Sequence, residues 1–430
     1  MRLVLSIAAA VAVVIPCAVN ADDASVLPFV FTSAVSYDST PGLCGRDRFP
    51  QGAAVILVSS TGRQRIAPTF YASADPAVAF DGSRILFAGK ATATVPWQIW
   101  EVAIAGGAPR QVTHCQTDCT NPLYLPDGRI VYTRGSSAGS DVEIADTNGG
   151  SAQRLTFAPG RHVTQDVLRD GRILFQSDGE LYTVYPDGTG VESMRCDHGP
   201  QRSEARQVAS GDVIFNVGRK LARFTSALAL QADIAQPDWD VTGPIAEASA
   251  GKWVVALRKS NGPFGLYLWS RDSGQLVPLE TPGTNAVQPV LVRPRTPPKQ
   301  FPSGLVPSRI TGNLLCLDAR ASKDPIAEAV ATVQVYTRND AGAAVLLGRQ
   351  NLAGDGSFYV EVPADRPLRI ELVNSAGRTV RAERGWFWMR PSEQRICVGC
   401  HAGPERSPEN KTPEILLRTI VPQKMLGASK

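Results

Sequence analysis

The 430 residues include 38 glycines and 32 prolines, which favours many short elements over long helices. Hydrophobic residues make up 43% of the chain and charged residues 20%, so disorder and coiled coil are excluded for most of its length. The formal net charge of +4 comes without a long basic run, which argues against a nucleic-acid partner. Eight cysteines stand beside only four histidines, and their placement carries most of the functional signal.

Residues 1–21 have the pattern of a signal peptide. Arg2 precedes an apolar stretch from Leu3 to Ile15, which is too short to span a bilayer. Val19-Asn20-Ala21 offers small residues at the positions that a signal peptidase recognises. We therefore expect cleavage after Ala21 and a periplasmic or secreted mature protein. We predict no membrane span, because no later apolar run is long enough. Seven cysteines would remain in an oxidising compartment, so disulfides alone do not account for all of them.

An Asp-Gly turn followed by β-branched and aromatic residues recurs along the middle of the chain. The clearest copies lie at 80–87, 125–132 and 168–175, with weaker ones around Gly211 and Gly251. Their glycines are 40 to 46 residues apart, which is the period of a propeller blade. A second set of hairpins lies between the copies, so each blade is predicted to have four strands.

Residues 22–293 are therefore predicted to form a six-bladed β-propeller within an all-β fold. The ring closes if a strand at 28–35 pairs with a strand at 288–292. These repeats resemble the TolB-type propeller repeat. The resemblance indicates the fold rather than the function, because a propeller can be a scaffold, a docking platform or an enzyme.

A proline-rich linker at residues 294–304 interrupts the repeats and is predicted to be an extended, stiff spacer. Strand-like segments separated by turn residues then cover residues 305–380, and this pattern favours a small β-sandwich. Residues 381–430 follow as a separate segment, and they contain most of the chemistry.

Cys397, Cys400 and His401 form a C-x-x-C-H motif in that last segment. Two thiols three positions apart can form thioethers with the two vinyl groups of one haem, and the next histidine can ligate the iron. We therefore predict one covalent haem c on Cys397 and Cys400, with His401 as the proximal ligand of the iron. The alternatives are a disulfide between the two cysteines, or a zinc site that also uses His401.

Other residues supply candidates for the rest of a haem pocket. Trp386 and Trp388 could cover the porphyrin, or belong to a core strand of the sandwich. Met389 and Met425 are candidates for the distal iron ligand, and a His/Met haem would suit electron transfer. An empty distal position would instead favour binding of a small molecule. Three further distal candidates are propeller histidines, although such residues are usually surface or turn residues: His114, His162 and His198.

Cys115 and Cys119 are close enough in sequence to form a disulfide across a short loop. A metal site that adds His114 is the alternative. The other three cysteines of the mature chain leave one pair and one further thiol, and the sequence does not say which they are: Cys44, Cys196 and Cys316.

The order of a propeller, a β-domain and a C-x-x-C-H segment resembles the hydrazine synthase alpha-subunit family. The most specific part of this resemblance runs from Arg390-Pro391 through the motif at 397–401. The family's catalytic haem is ligated by a tyrosine shortly after the motif, with the motif histidine released to zinc, and further haems are needed. This chain has Glu405 four residues after His401, no later tyrosine and one haem motif. The ligand set therefore argues against hydrazine synthesis itself.

Three functions are consistent with these features. The first is an exported haem c protein that transfers electrons, with the propeller docking a redox partner protein. The second is a haem enzyme, an oxidoreductase, that acts on a small nitrogen or oxygen species bound at the haem. The third is a propeller scaffold that binds proteins and carries no haem. No catalytic residue is assigned by the sequence.

Overall fold

The computed structural model describes residues 28–40, 48–148, 150, 152–195, 199–225, 230–280, 283–322, 325–326, 328–399 and 409–427. Strands dominate these residues, and α1 (Glu414–Arg418) is the one α-helix among them. The all-β prediction is confirmed. No helix in the described ranges has the length and apolar character needed to cross a membrane. The predicted signal peptide at 1–21 lies outside the described residues.

The first 24 strands form a series of four-stranded antiparallel sheets. In chain order they are β1 (Phe29–Ala34), β2 (Ala54–Ser59), β3 (Gly62–Arg65), β4 (Ala72–Val78), β5 (Arg84–Lys90), β6 (Gln98–Ala103), β7 (Arg110–Gln111), β8 (Cys119–Tyr124), β9 (Arg129–Ser136), β10 (Gly139–Asp146), β11 (Gln153–Arg154), β12 (His162–Val167), β13 (Ile173–Ser177), β14 (Glu180–Val184), β15 (Glu192–Ser193), β16 (Arg202–Gln207), β17 (Val213–Val217), β18 (Lys220–Phe224), β19 (Gln231–Asp233), β20 (Asp240–Ser249), β21 (Lys252–Arg258), β22 (Gly265–Ser270), β23 (Leu276–Glu280) and β24 (Asn285–Leu291). Each sheet takes four consecutive strands, except one with the order β24-β1-β2-β3.

The described strands of this region close into a ring of six sheets. β24 pairs antiparallel with β1, with Phe29 opposite Leu291 and Ala34 opposite Asn285. In each sheet, the strand at the inner edge of the ring contacts the corresponding strand of the next sheet. β24 is the inner strand of the sheet that closes the ring, and it lies between β20 and β4. The predicted pairing between the two ends of the propeller is therefore confirmed.

The Asp-Gly turns join the first and second strands of their sheets. At the turn between β8 and β9, Gly128 has a φ of +87°, which an L-residue rarely adopts. The carboxylate of Asp127 accepts a hydrogen bond from the backbone N–H of Arg129 at 3.0 Å. Gly171 has nearly the same φ, +89°, between β12 and β13. The repeated sequence thus marks a repeated turn.

The proline-rich linker lies against these turns. The backbone N–H of Arg295 donates to the carbonyl of Phe80 at 2.8 Å, and that of Lys299 donates to the carbonyl of Arg169 at 3.1 Å. The Gln300 side chain reaches a third turn, between β8 and β9. The predicted spacer is therefore docked on three sheets of the ring.

The last eight strands form a sandwich of two four-stranded sheets within the described residues, ordered β31-β25-β28-β32 and β27-β26-β29-β30. The strands are β25 (Thr311–Cys316), β26 (Thr332–Arg338), β27 (Ala344–Asn351), β28 (Phe358–Pro363), β29 (Leu368–Val373), β30 (Thr379–Ala382), β31 (Gln394–Cys397) and β32 (Gln423–Lys424). Buried side chains such as Leu314, Val335 and Val360 fill the space between the sheets.

The sandwich extends past the predicted boundary at residue 380. β31 pairs parallel with β25, and β32 pairs parallel with β28. The sequence assigns both strands to a separate segment at 381–430, and the structure corrects this assignment, because both are edge strands of one sandwich sheet. The C-x-x-C-H motif therefore begins on a sandwich strand.

Candidate functional site

Sheet pairing fixes the start of the C-x-x-C-H motif. Cys397 is the last residue of β31, and it lies opposite Cys316 of β25 in the parallel ladder. The Cys397 carbonyl accepts a hydrogen bond from the backbone N–H of Leu317 at 2.9 Å. Cys400 and His401 lie outside the described residues, so their roles stay predictions.

The backbone after Cys397 packs closely against a neighbouring loop. A Cβ atom on Gly399 would lie 2.5 Å from the carbonyl oxygen of Ala321 and 2.8 Å from that of Asp318. Such contacts are too short for any side chain, so glycine is required at this close approach. The loop therefore sets the direction in which the motif leaves the sheet.

Burial raises the pKa of the Cys397 thiol, and the charge of Arg395 opposes that shift. The carboxylates of Glu383 and Glu192 add to the increase. Because Glu192 belongs to β15, this thiol lies where the sandwich meets the propeller.

The two tryptophans before the motif have different surroundings. Trp388 is 1% exposed, and its Nε1 donates to the carbonyl of Gly188 in the propeller at 3.0 Å. Trp386 is partly buried, and the guanidinium groups of Arg338 and Arg369 lie over its ring. Trp388 thus joins the sandwich to the propeller, and a porphyrin contact stays a prediction for both residues.

Met389 and Met425 are fully buried in the sandwich core. The Met425 sulfur occupies the space that a Cβ on Gly348 would fill, and the Cβ of Met389 lies 3.2 Å from the position of a Cβ on Gly312. A thioether in this close-packed core reaches an iron only if the core opens. The structure therefore places both methionines as core residues, and a role as distal ligand stays a prediction for both.

His162 is a core residue of the propeller. Its Nε2 lies 2.9 Å from the carbonyl oxygen of Ala158, and its ring packs edge-on to Phe175. Burial lowers the pKa of this histidine, so it is neutral near pH 7. His114 is exposed on a propeller loop, and His198 lies outside the described residues.

Cys115 and Cys119 are free thiols, so the predicted disulfide is not formed in this structure. Their side chains interact with each other, and the Cys119 thiol donates to the carbonyl of Thr117 at 3.9 Å. Within the described ranges, no three His, Cys, Asp or Glu side chains are grouped to hold a metal ion, so the alternative site with His114 gains no support. Cys44 and Cys196 lie outside those ranges.

A polar cavity of about 30 Å³ lies between the inner strands of the ring, and no sequence motif considered above marks it. Asp75, Asn121, Glu204 and Gln288 line it, and each has a positive φ. The Gln288 side chain donates to Asp75 at 2.5 Å across two neighbouring sheets. The volume suits one or two water molecules. The sequence signal that could have located the cavity is a polar residue before proline at blade spacing: Asp75-Pro76, Asn121-Pro122 and Gln288-Pro289.

Residues 316–402 match the family model described as the hydrazine synthase alpha subunit middle domain. This match runs from Cys316 to just past His401 and includes the whole motif. Hydrazine synthase subunit alpha of Kuenenia stuttgartiensis is 23% identical over 523 aligned residues, which cover 83% of this chain. The chain is therefore similar to hydrazine synthase subunit alpha over most of its length. It spans 63% of the length of that relative.

The chain also shares its fold with a solved structure, Kuenenia stuttgartiensis hydrazine synthase. The TM-score is 0.79 at 17% identity, and the alignment covers 91% of this chain and 71% of the other. The structure of TolB from Acinetobacter baumannii aligns with 62% of this chain and 67% of its own, with a TM-score of 0.48 and 14% identity. Identity this low leaves the activity to be argued from the site residues.

Proposed function

We propose that this chain is an exported haem c protein, with one haem held covalently by Cys397 and Cys400 and its iron ligated by His401. The donor set supports this, because two thiols followed by a histidine are the groups that c-type attachment needs. The fixed position of Cys397 and the close packing at Gly399 support it as well. When bound, the haem supplies a redox-active iron whose chemistry depends on its axial ligands.

The distal position of the iron is open to a small molecule in this proposal. The observation that carries it is the packing of the described methionines, since Met389 and Met425 fill the sandwich core and Met194 packs against a propeller cluster. A haem without a methionine ligand suits redox chemistry on a small nitrogen or oxygen species better than electron transfer alone. The likeness to hydrazine synthase subunit alpha supports the same class of function.

Carbon monoxide binding tests the distal position. Protein purified from a host competent for c-type haem maturation should show a Soret band, and its reduced form should bind CO with a shift of that band. Met389→Leu and Met425→Leu are matched controls that nearly conserve volume, at a cost below about 1.5 kcal/mol. Both should leave the spectrum of the reduced protein unchanged.

The other outcomes are equally decisive. If the reduced protein binds CO only after Met389 or Met425 is replaced, the haem is six-coordinate. This result would favour the electron-transfer function, with a redox partner docked on the propeller. A purified protein without a Soret band would favour the scaffold function. Hydrazine synthesis is not part of the proposal, because no tyrosine follows His401.

Replacing Cys397 and Cys400 together by alanine tests the attachment site. The variant should lose covalent haem on a denaturing gel, while its circular dichroism keeps the β-sheet signal, because the propeller buries its own apolar clusters. A Cys115→Ala, Cys119→Ala double variant is the matched control and should keep its haem. Unfolding of the whole protein in the first variant would show that the fold depends on the haem.

A further inference from the structure

A short loop of the propeller holds two thiols in a fixed arrangement. The loop joins β7 to β8 and includes Cys115, while Cys119 is the first residue of β8. The buried side chain of Gln98 holds it: Oε1 accepts from the backbone N–H of Cys115 at 2.8 Å and from Thr113 Oγ1 at 2.9 Å. Its Nε2 donates to the Cys115 carbonyl at 3.0 Å. The position of Cys115 is therefore set by the propeller.

The two sulfur atoms differ in access. Cys119 is 0% exposed, whereas Cys115 is partly exposed and has exposed neighbours on both sides. The Cys119 thiol lies 3.9 Å from the carbonyl oxygen of Thr117, and its side chain interacts with that of Cys115, so the two thiols are neighbours within one short loop. Cys115 can therefore react with a reagent from solution, whereas Cys119 is shielded from it.

The charges around the pair favour the thiolate at the accessible position. The hydrogen bond from Cys119 and the charge of Arg134 lower the pKa of Cys115 to about 7, against burial and the charge of Glu143. The same hydrogen bond and burial raise the pKa of Cys119. The side chain of Tyr132 also faces the pair, and its hydroxyl donates to the Glu143 carboxylate at 2.9 Å. A thiolate is the nucleophile in disulfide exchange, and a thiol with a pKa near ambient pH attacks fastest.

We propose that Cys115 and Cys119 form a dithiol–disulfide exchange site, with Cys115 as the attacking sulfur and Cys119 as the resolving one. The substrate is a disulfide, either of a protein or of a small molecule such as oxidised glutathione. The Cys115 thiolate attacks one substrate sulfur and releases the other as a thiolate. Cys119 then loses its proton and attacks the Cys115 sulfur of the mixed disulfide, which releases the second substrate thiolate. The protein pair is oxidised by two electrons, and the substrate is reduced to two thiols that take up both protons.

The test uses the full-length protein, peptide mapping by mass spectrometry and glutathione as the probe. Reduced protein treated with oxidised glutathione should lose two hydrogen atoms, mapped to a Cys115–Cys119 disulfide, and reduced glutathione should restore the thiols. Cys119→Ala should instead accumulate glutathione on Cys115. The matched variant Cys115→Ala should leave Cys119 unmodified, because that sulfur is buried. Maleimide should label Cys115 about fivefold faster at pH 7 than an ordinary thiol.

Two results would overturn the proposal. If oxidised glutathione produces no Cys115–Cys119 disulfide in the folded protein, the pair does not exchange. If the disulfide forms but glutathione at millimolar concentration cannot reduce it, the pair is a structural bridge. Arg134→Gln separates the electrostatic contribution, since it should slow labelling of Cys115 and leave the mapped disulfide unchanged.

Discussion

At the residue scale, His162 is a titratable group enclosed by aromatic rings. The rings of Phe175 and Trp388 lie 5.7 and 6.5 Å from its own, measured between centroids. Burial lowers the pKa of His162, while the bond to Ala158 and the charge of Asp141 oppose the shift. The folded protein therefore holds this imidazole neutral at a pH where an exposed histidine begins to take up a proton.

His162 is expected to make the protein sensitive to acid. Because its pKa is lower in the folded than in the unfolded state, the unfolded chain binds the proton first as the pH falls. The free energy of unfolding should be unaffected above about pH 7 and decrease below about pH 6.5, by up to about 1.4 kcal/mol per pH unit. His162→Phe should remove this part of the loss, as measured by urea unfolding at pH 7.5 and 5.5. Equal losses in both proteins would contradict the assignment.

Single residues also show where sequence reasoning reaches its limit. The spacing of Cys397, Cys400 and His401 indicates haem attachment because the chemistry requires that pattern. Met389 carries no such pattern, since a thioether suits an iron ligand and a sandwich core equally well. The paired sheets show that Met389 lies in the core, which its local sequence does not indicate.

At the scale of elements, the docked linker depends on glycine at the turns below it. A Cβ on Gly171 would clash with the Lys299 carbonyl oxygen. Gly128 has nearly the same φ, but a Cβ there would meet nothing within 4 Å. The proline content predicts an extended linker, but not its docking, because hydrogen bonds between a linker and distant turns leave no local sequence signal.

Gly171→Ala and Gly128→Ala should therefore differ in stability. Both variants carry the cost of a side chain at positive φ, about 1 to 2 kcal/mol. Gly171→Ala should lose about 1 to 3 kcal/mol more, because the linker must move away from the turn. Trypsin should also cut the native protein faster after Lys299 in Gly171→Ala than in Gly128→Ala. Equal stability and equal cleavage would mean that the linker is not held at this turn.

At the scale of the whole molecule, the repeat carries most of the predictable fold. Regular Asp-Gly turns predict sheets of four strands, and the pairing of β1 with β24 follows from the need to close the ring. The extent of the sandwich was not predictable. β31 and β32 are short strands that pair parallel with partners distant in sequence. Parallel strands are not joined by a hairpin turn, so no turn motif in the sequence indicates their pairing.

The same carboxyl-terminal part of the sandwich holds the two halves of the molecule together. Trp388 enters an apolar cluster of the propeller, and Glu393 accepts a hydrogen bond from the backbone N–H of Gly190 at 3.0 Å. The Nε of Arg390 donates to the carbonyl of Asp187 at 3.0 Å. Both hydrogen bonds reach one loop of the propeller, between β14 and β15, and the ring of Trp388 also packs on Phe175, so sandwich and propeller are expected to unfold together.

Trp388→Ala should uncouple the two halves, because it removes a fully buried side chain and its hydrogen bond to Gly188. We expect a loss of about 3 to 5 kcal/mol and two separate transitions in calorimetry where the native protein shows one. Trp386→Ala is the matched control two positions away. It should cost about 1 kcal/mol and keep a single transition, because Trp386 is partly exposed and lies under arginine side chains of the sandwich. A single transition in Trp388→Ala, or the same loss in both variants, would show that the coupling lies elsewhere.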